Sequence, residues 1–162
     1  MKKLFFALLV AVLLLPVAGL AAQEEEGFSF MSFNMGLGPA FFMDNSDLEV
    51  ASTFGVDFRV AGPLIIGFAH HNVDTIGGSA NLLRVKYDVL PQARAVLSFG
   101  HGDLIAGSAA PLTGLGFEFI PFRRQVGGLF TEFKLATDYV FEPELGMGDG
   151  VILFGLLLSV GF

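Results

Sequence analysis

Residues 48–60 read LEVASTFGVDFRV, and this stretch decides the fold. Its even positions are Leu48, Val50, Ser52, Phe54, Val56, Phe58 and Val60. Its odd positions are Glu49, Ala51, Thr53, Gly55, Asp57 and Arg59. One face is greasy and the other is small or charged, the period-two pattern of a strand between two unlike environments. Residues 129–141 repeat it, with Leu129, Phe133, Leu135 and Tyr139 opposite Glu132, Lys134 and Asp138. Residues 82–90 repeat it again, with Leu83, Val85 and Tyr87 opposite Arg84, Lys86 and Asp88. Weaker alternation marks 30–38, 64–71, 94–102, 113–121 and 151–162. Eight strands of about 10 residues are therefore expected. The first, third, fifth and seventh connections are the longer ones: Pro39 to Asp47, Asn72 to Ala80, Gly102 to Leu112 and Glu142 to Gly150. The others are shorter: Ala61 to Pro63, Pro91 to Ala93 and Phe122 to Gly128.

The rest of the chain fits this rhythm. It has 162 residues, 53% hydrophobic and only 15% charged, so it is too apolar for intrinsic disorder and poor in charge for a soluble domain. It has no Cys, which excludes disulfides, thiolate metal sites and a Cys nucleophile. A net charge of -7 argues against nucleic acid as a partner. Residues 1–21 read as a secretory signal peptide: Lys2 and Lys3, an apolar run from Leu4 to Leu15, Pro16, then small residues with cleavage after Ala21. Residues 22–162 form one domain. That domain contains no apolar run of 18 or more residues, so its hydrophobicity does not lie in a spanning helix.

A sheet with one apolar face can turn that face inward, as in a soluble lipocalin-like barrel, or outward to lipid. The apolar face here is large, uninterrupted and rich in Phe. The other face carries Gly, Ala and a nearly balanced set of charges: Arg59, Arg84, Lys86, Arg94 and Lys134 against Glu49, Asp57, Asp88, Glu118, Glu132 and Asp138. A narrow lumen needs such pairing, because breaking a buried pair costs about 3–5 kcal/mol. Closure also removes edge strands, which lipid does not tolerate. The expected fold is all-β, an eight-stranded antiparallel transmembrane up-and-down β-barrel, with those eleven residues as a lumen charge network.

The signal peptide, the eight alternating strands, the alternating loop lengths and the terminal Phe162 together resemble small outer-membrane β-barrels of the OmpA, OmpX and opacity-protein type. The resemblance implies an outer membrane of a diderm cell. It implies that Leu158, Val160 and Phe162 form a signal read by the barrel-assembly machinery. It departs in lacking Trp, so Phe must supply most of the aromatic girdles. With an even strand number, both termini lie in the periplasm and the longer loops outside. Phe58, Tyr87 and Phe162 then fall near the periplasmic interface, Tyr139 and Phe141 near the outer one. The outer loops hold Asp44, Asp47, Asp74, Asp103, Glu142, Glu144 and Asp149 and no Lys or Arg, whereas Arg123 and Arg124 fall in a periplasmic turn. Divalent cations or environmental ligands are candidate partners at this acidic rim, beside outer-membrane lipid itself.

Candidate chemistry is sparse. Eight strands leave a lumen wide enough only for side chains. The glycines Gly36, Gly55, Gly67, Gly100, Gly116 and Gly155 either leave a narrow pore or accommodate larger lumen groups. His70 and His101 sit on the outward face, with Asp74 and Asp103 near in sequence and Ser79 or Ser108 as conceivable nucleophiles, the ingredients of a lipid-modifying enzyme without its local motif. His70 and His71 point to opposite faces and make a poor metal pair. No catalytic residue, cofactor or metal site is expected. The expected role is structural or surface-interacting, with a narrow channel for small or hydrophobic solutes as the first alternative and an outer-leaflet lipid-modifying enzyme as the second.

Overall fold

The computed structural model describes residues 29–44, 46–73, 78–105, 108–145 and 149–162. The expected signal peptide lies outside these. Eight strands follow in chain order: β1 Met31–Phe42, β2 Leu48–Ala61, β3 Leu64–Val73, β4 Gly78–Leu90, β5 Ala93–Gly102, β6 Ala110–Val126, β7 Leu129–Phe141 and β8 Val151–Gly161. Each pairs antiparallel with its neighbours in sequence, and β8 pairs with β1, so the sheet is a closed up-and-down barrel. A walk along paired residues from Met31 passes through Phe58, Ile66, Val85, Leu97, Leu115, Tyr139 and Ile152 and returns at Phe41. The return falls about ten residues further along β1, the stagger that a small tilted barrel requires.

The strands run further than alternation alone suggests. β1 continues through Pro39 to Phe42, and β3 and β4 extend to Val73 and from Gly78. The β1–β8 ladder passes from Leu37 to Ala40, skipping Gly38 and Pro39, so the missing proline N–H falls where no rung is made. β6 runs to Val126 rather than ending at Pro121. A register shift between Phe119 and Phe122 inserts an extra residue, which flips the facing and sends Arg123 inward. The turn that follows is only Gly127–Gly128, with φ of 59° and 91°, values that suit glycine in a two-residue hairpin.

The interior and exterior are inverted relative to a soluble protein. Lys86 and Lys134 are each 1% exposed, whereas Leu37 is 63% and Phe54 55% exposed. Phe33, Phe68, Leu97, Leu115, Leu135 and Leu156 likewise face outward from different strands. Among the described strand residues, Arg124 beside the Gly127–Gly128 turn is the charged side chain that leaves this pattern. The interior has two zones. Toward the short turns it holds the charges. Toward the longer loops it is an apolar plug that includes Phe42, Val73, Leu82, Leu104, Leu112 and Leu153.

Candidate functional site: the lumen charge cluster

The cluster is built from odd-and-even bookkeeping along each strand. Asp57 is brought inward by β2, Arg84 and Lys86 by β4, Arg94 by β5, Glu118 by β6, and Glu132, Lys134 and Asp138 by β7. Lys86 Nζ lies 2.7 Å from both Asp57 Oδ2 and Glu118 Oε1. Arg84 donates from Nη2 to both oxygens of Asp138 at 2.9 Å and approaches Glu118 at 3.4 Å. Arg94 reaches Asp88 at 2.6 Å and Glu132 at 3.1 Å. Arg59 closes the turn end on Asp88 at 2.7 Å. Lys134 sits 3.2 Å from Glu132 and 3.7 Å from Asp57.

Ten of the eleven expected residues meet in this way. Glu49 does not. It sits half-buried at the loop end of β2, paired with Ala40 beside the plug, and no ion pair joins it to the cluster. Two members were missed. Arg123, placed in a turn by its polar RRQ context, lies in β6 and binds Glu132 at 2.7 Å. The Gly-Gly hairpin signal at 127–128 could have extended the strand to reach it. Asn34 accepts from Lys134 Nζ at 2.7 Å and donates to Asp57 at 2.9 Å. Alternation already placed it inward, opposite Phe33 and Met35. Among the described residues the network thus joins Arg59, Arg84, Lys86, Arg94, Arg123 and Lys134 to Asp57, Asp88, Glu118, Glu132 and Asp138.

The lumen glycines accommodate these groups. A Cβ on Gly67 would overlap the Asp57 carboxylate, and one on Gly116 would overlap that of Asp138. Each carboxylate lies flat on the neighbouring strand because glycine is there. At the turn end a cavity of about 10 Å³ remains between Ser32, Asp57, Arg59 and Glu132, room for about one water.

Among the described residues the outward histidines bond to no serine, and Asp74 lies outside those residues. His70 Nδ1 lies 3.0 Å from Asn81 Oδ1. The Ser79 hydroxyl donates to Asp103 at 3.3 Å, not to an imidazole. Ser108 is exposed in the β5–β6 connection. His71 turns into the lumen, 2.9 Å from Thr53 Oγ1, on the opposite face from His70. No group of three or more His, Asp or Glu that could hold a metal occurs among the described residues. The acidic rim is partly withdrawn: Glu142 is buried, while Asp44, Asp47, Glu144 and Asp149 are exposed.

No family model matches the chain, and no curated protein matches it. Among solved structures it is similar to one described as "De novo design of transmembrane beta-barrels", with 13% identity, 83% of this chain and 99% of the other covered, and a TM-score of 0.47.

Proposed function

We propose that this chain is an integral outer-membrane protein of a diderm cell with a structural or surface-interacting role and no catalysis. The observation that carries the reading is the inversion: among the described residues every lysine and arginine but Arg124 turns inward while a ring of Phe, Leu and Val faces out on all eight strands. Water would leave that ring with its full hydrophobic penalty, and monomeric soluble proteins rarely show apolar patches beyond a few hundred Å². Lipid removes the penalty, and the closed ladder presents it with no open sheet edge.

Export through a signal peptide at 1–21 and an OmpA/OmpX/opacity-like lineage belong to the same proposal. So does docking of the last strand on the barrel-assembly machinery. Leu158, Val160 and Phe162 support it by lying exposed in one outward row, with Phe162 carrying the final backbone bonds to Met31 and a ring 6.4 Å from Phe33. Outer-membrane lipid is the main partner, with cations or environmental ligands at the exposed loop carboxylates. The narrow-channel alternative gains no support from a lumen that combines an ion-paired half with an apolar plug.

Gel migration with and without boiling tests the reading. A band that runs differently when unheated, from protein that needs detergent or vesicles to stay in solution, is the expected result. A barrel that stays monomeric and soluble without detergent overturns it.

A further inference from the structure

One side of the outer wall breaks the apolar ring in an ordered way. On β3, β4 and β5 three successive outward rungs stack toward the loops. The first is Phe68, Leu83 and Phe99. The second is His70, Asn81 and His101. The third is Asn72, Ser79 and Asp103, where Asp103 continues the register by donating its N–H to Ser79 O at 2.9 Å. The apolar rung and Phe54, together with the histidine rung, line an open groove of about 580 Å³ on this wall. A volume of this size suits a small amphiphile. Across the barrel, the loop-end outward residues Phe41, Tyr139, Ile152 and Phe154 are aromatic or aliphatic, with Thr137 beside Phe154, so the imidazole and carboxylate groups stand on one side.

The chemistry of the three rungs changes in sequence. The first offers only apolar surface. The second offers exposed imidazoles and a carboxamide: His70 donates its Nδ1–H to Asn81 Oδ1, which leaves the Asn81 amide and the His101 ring as the outward donors. The third ends in a carboxylate. Asp103 is fixed there by the Ser79 N–H at 2.6 Å, and that bond holds its carboxyl below the usual range, so it stays ionised. Along its own length a zwitterionic phospholipid presents the matching order of acyl chain, phosphate and ammonium.

We infer that this wall binds one zwitterionic aminophospholipid, with an acyl chain in the groove, the phosphate against Asn81 and His101, and the ammonium beside Asp103. The inference rests on the membrane reading above. A purely anionic lipid fits less well, because its head would meet Asp103 and the exposed Asp44, Asp47, Glu144 and Asp149 at the same end of the barrel. No covalent step is involved. The Ser79 hydroxyl donates to Asp103 at 3.3 Å, and among the described residues no imidazole bonds to it.

The test is native mass spectrometry of the folded protein released from bilayers. The bilayers contain equal phosphatidylethanolamine and phosphatidylglycerol with identical chains. Heat-modifiable migration is checked on the same sample. Wild type is expected to retain one phosphatidylethanolamine in preference to phosphatidylglycerol. His101→Ala with Asn81→Ala should lower retention about tenfold, the worth of one hydrogen bond to a charged group. Asp103→Asn should abolish the preference between the two lipids while leaving total retention nearly unchanged. Arg124→Ala, at the opposite end, is the control and should change neither. Protein that folds in the bilayers but retains no phosphatidylethanolamine, or retains phosphatidylglycerol equally, overturns this inference alone. Protein that does not insert overturns the membrane reading beneath it.

Discussion

Arg84→Met is the substitution that most sharply tests the lumen. Arg84 and Asp138 are each 4% exposed at the side chain, and the guanidinium grips both carboxylate oxygens at 2.9 Å. Asp138 makes no other ion pair among the described residues, whereas Glu118 keeps Lys86 at 2.7 Å. Removing Arg84 therefore strands one carboxylate, pinned against Gly116, in a space that admits little water. Breaking a buried pair from one side costs about 3–5 kcal/mol. Removing both charges is far milder, since an apolar replacement of a buried pair is often neutral. Arg84→Met with Asp138→Ala should recover about 2 kcal/mol or more of the single-variant loss, a coupling within the range for residues in direct contact. Urea unfolding in vesicles, followed by the fraction that migrates as folded without heating, measures all three proteins. A single variant within about 1 kcal/mol of wild type would refute the claim that these charges are sealed and mutually dependent. Strict additivity in the double variant would refute it as well.

Lys134→Leu should cost more than Arg124→Leu. It leaves the Asn34 carbonyl without its donor, worth about 1–3 kcal/mol, while Asp57 keeps Lys86 and Glu132 keeps Arg94 and Arg123. Arg124 is exposed, so its loss should fall within about 0.5 kcal/mol in the same unfolding assay. Leu135→Arg places a charge on the outer wall at a residue 39% exposed, and should cost roughly 2–4 kcal/mol near a bilayer midplane. No change in vesicles would argue that this wall does not face lipid. Planar-bilayer recording of the wild type should show no steady conductance, because Leu82, Leu112 and Leu153 close the loop half of the lumen. A stable current would contradict a packed interior.

Much of this architecture was legible because a strand has one simple code. In β2 and β7 every second residue names its environment, so alternation alone assigns Asp57, Glu132, Lys134 and Asp138 to the lumen. The code fails where its parity breaks. The shift between Phe119 and Phe122 reverses the facing in β6, and the polar run of Arg123, Arg124 and Gln125 then resembles a turn. Glu49 shows the opposite limit. Its parity is right, but parity carries no height along the barrel, and at its level the lumen is apolar. Pro39 and Asn72 read as loop residues because local preference is weaker than a ladder, which holds Asn72 from both sides and Pro39 from β2. The three-rung order beside the groove was hidden for a similar reason. His70, Asn81 and His101 are scattered in sequence and become neighbours only through the register of three strands.

The central claim is that the outer wall meets hydrocarbon. The chain contains no Cys, so single-cysteine variants carry a spin label at one known place. Phe33, Leu97, Leu115, Leu135 and Leu156 sample the outward face of β1, β5, β6, β7 and β8. Labels at all five, in vesicles, should collide readily with dissolved oxygen and hardly at all with a water-soluble nickel chelate. Ready collision with the chelate around the ring would show a wall in water, and would contradict the account.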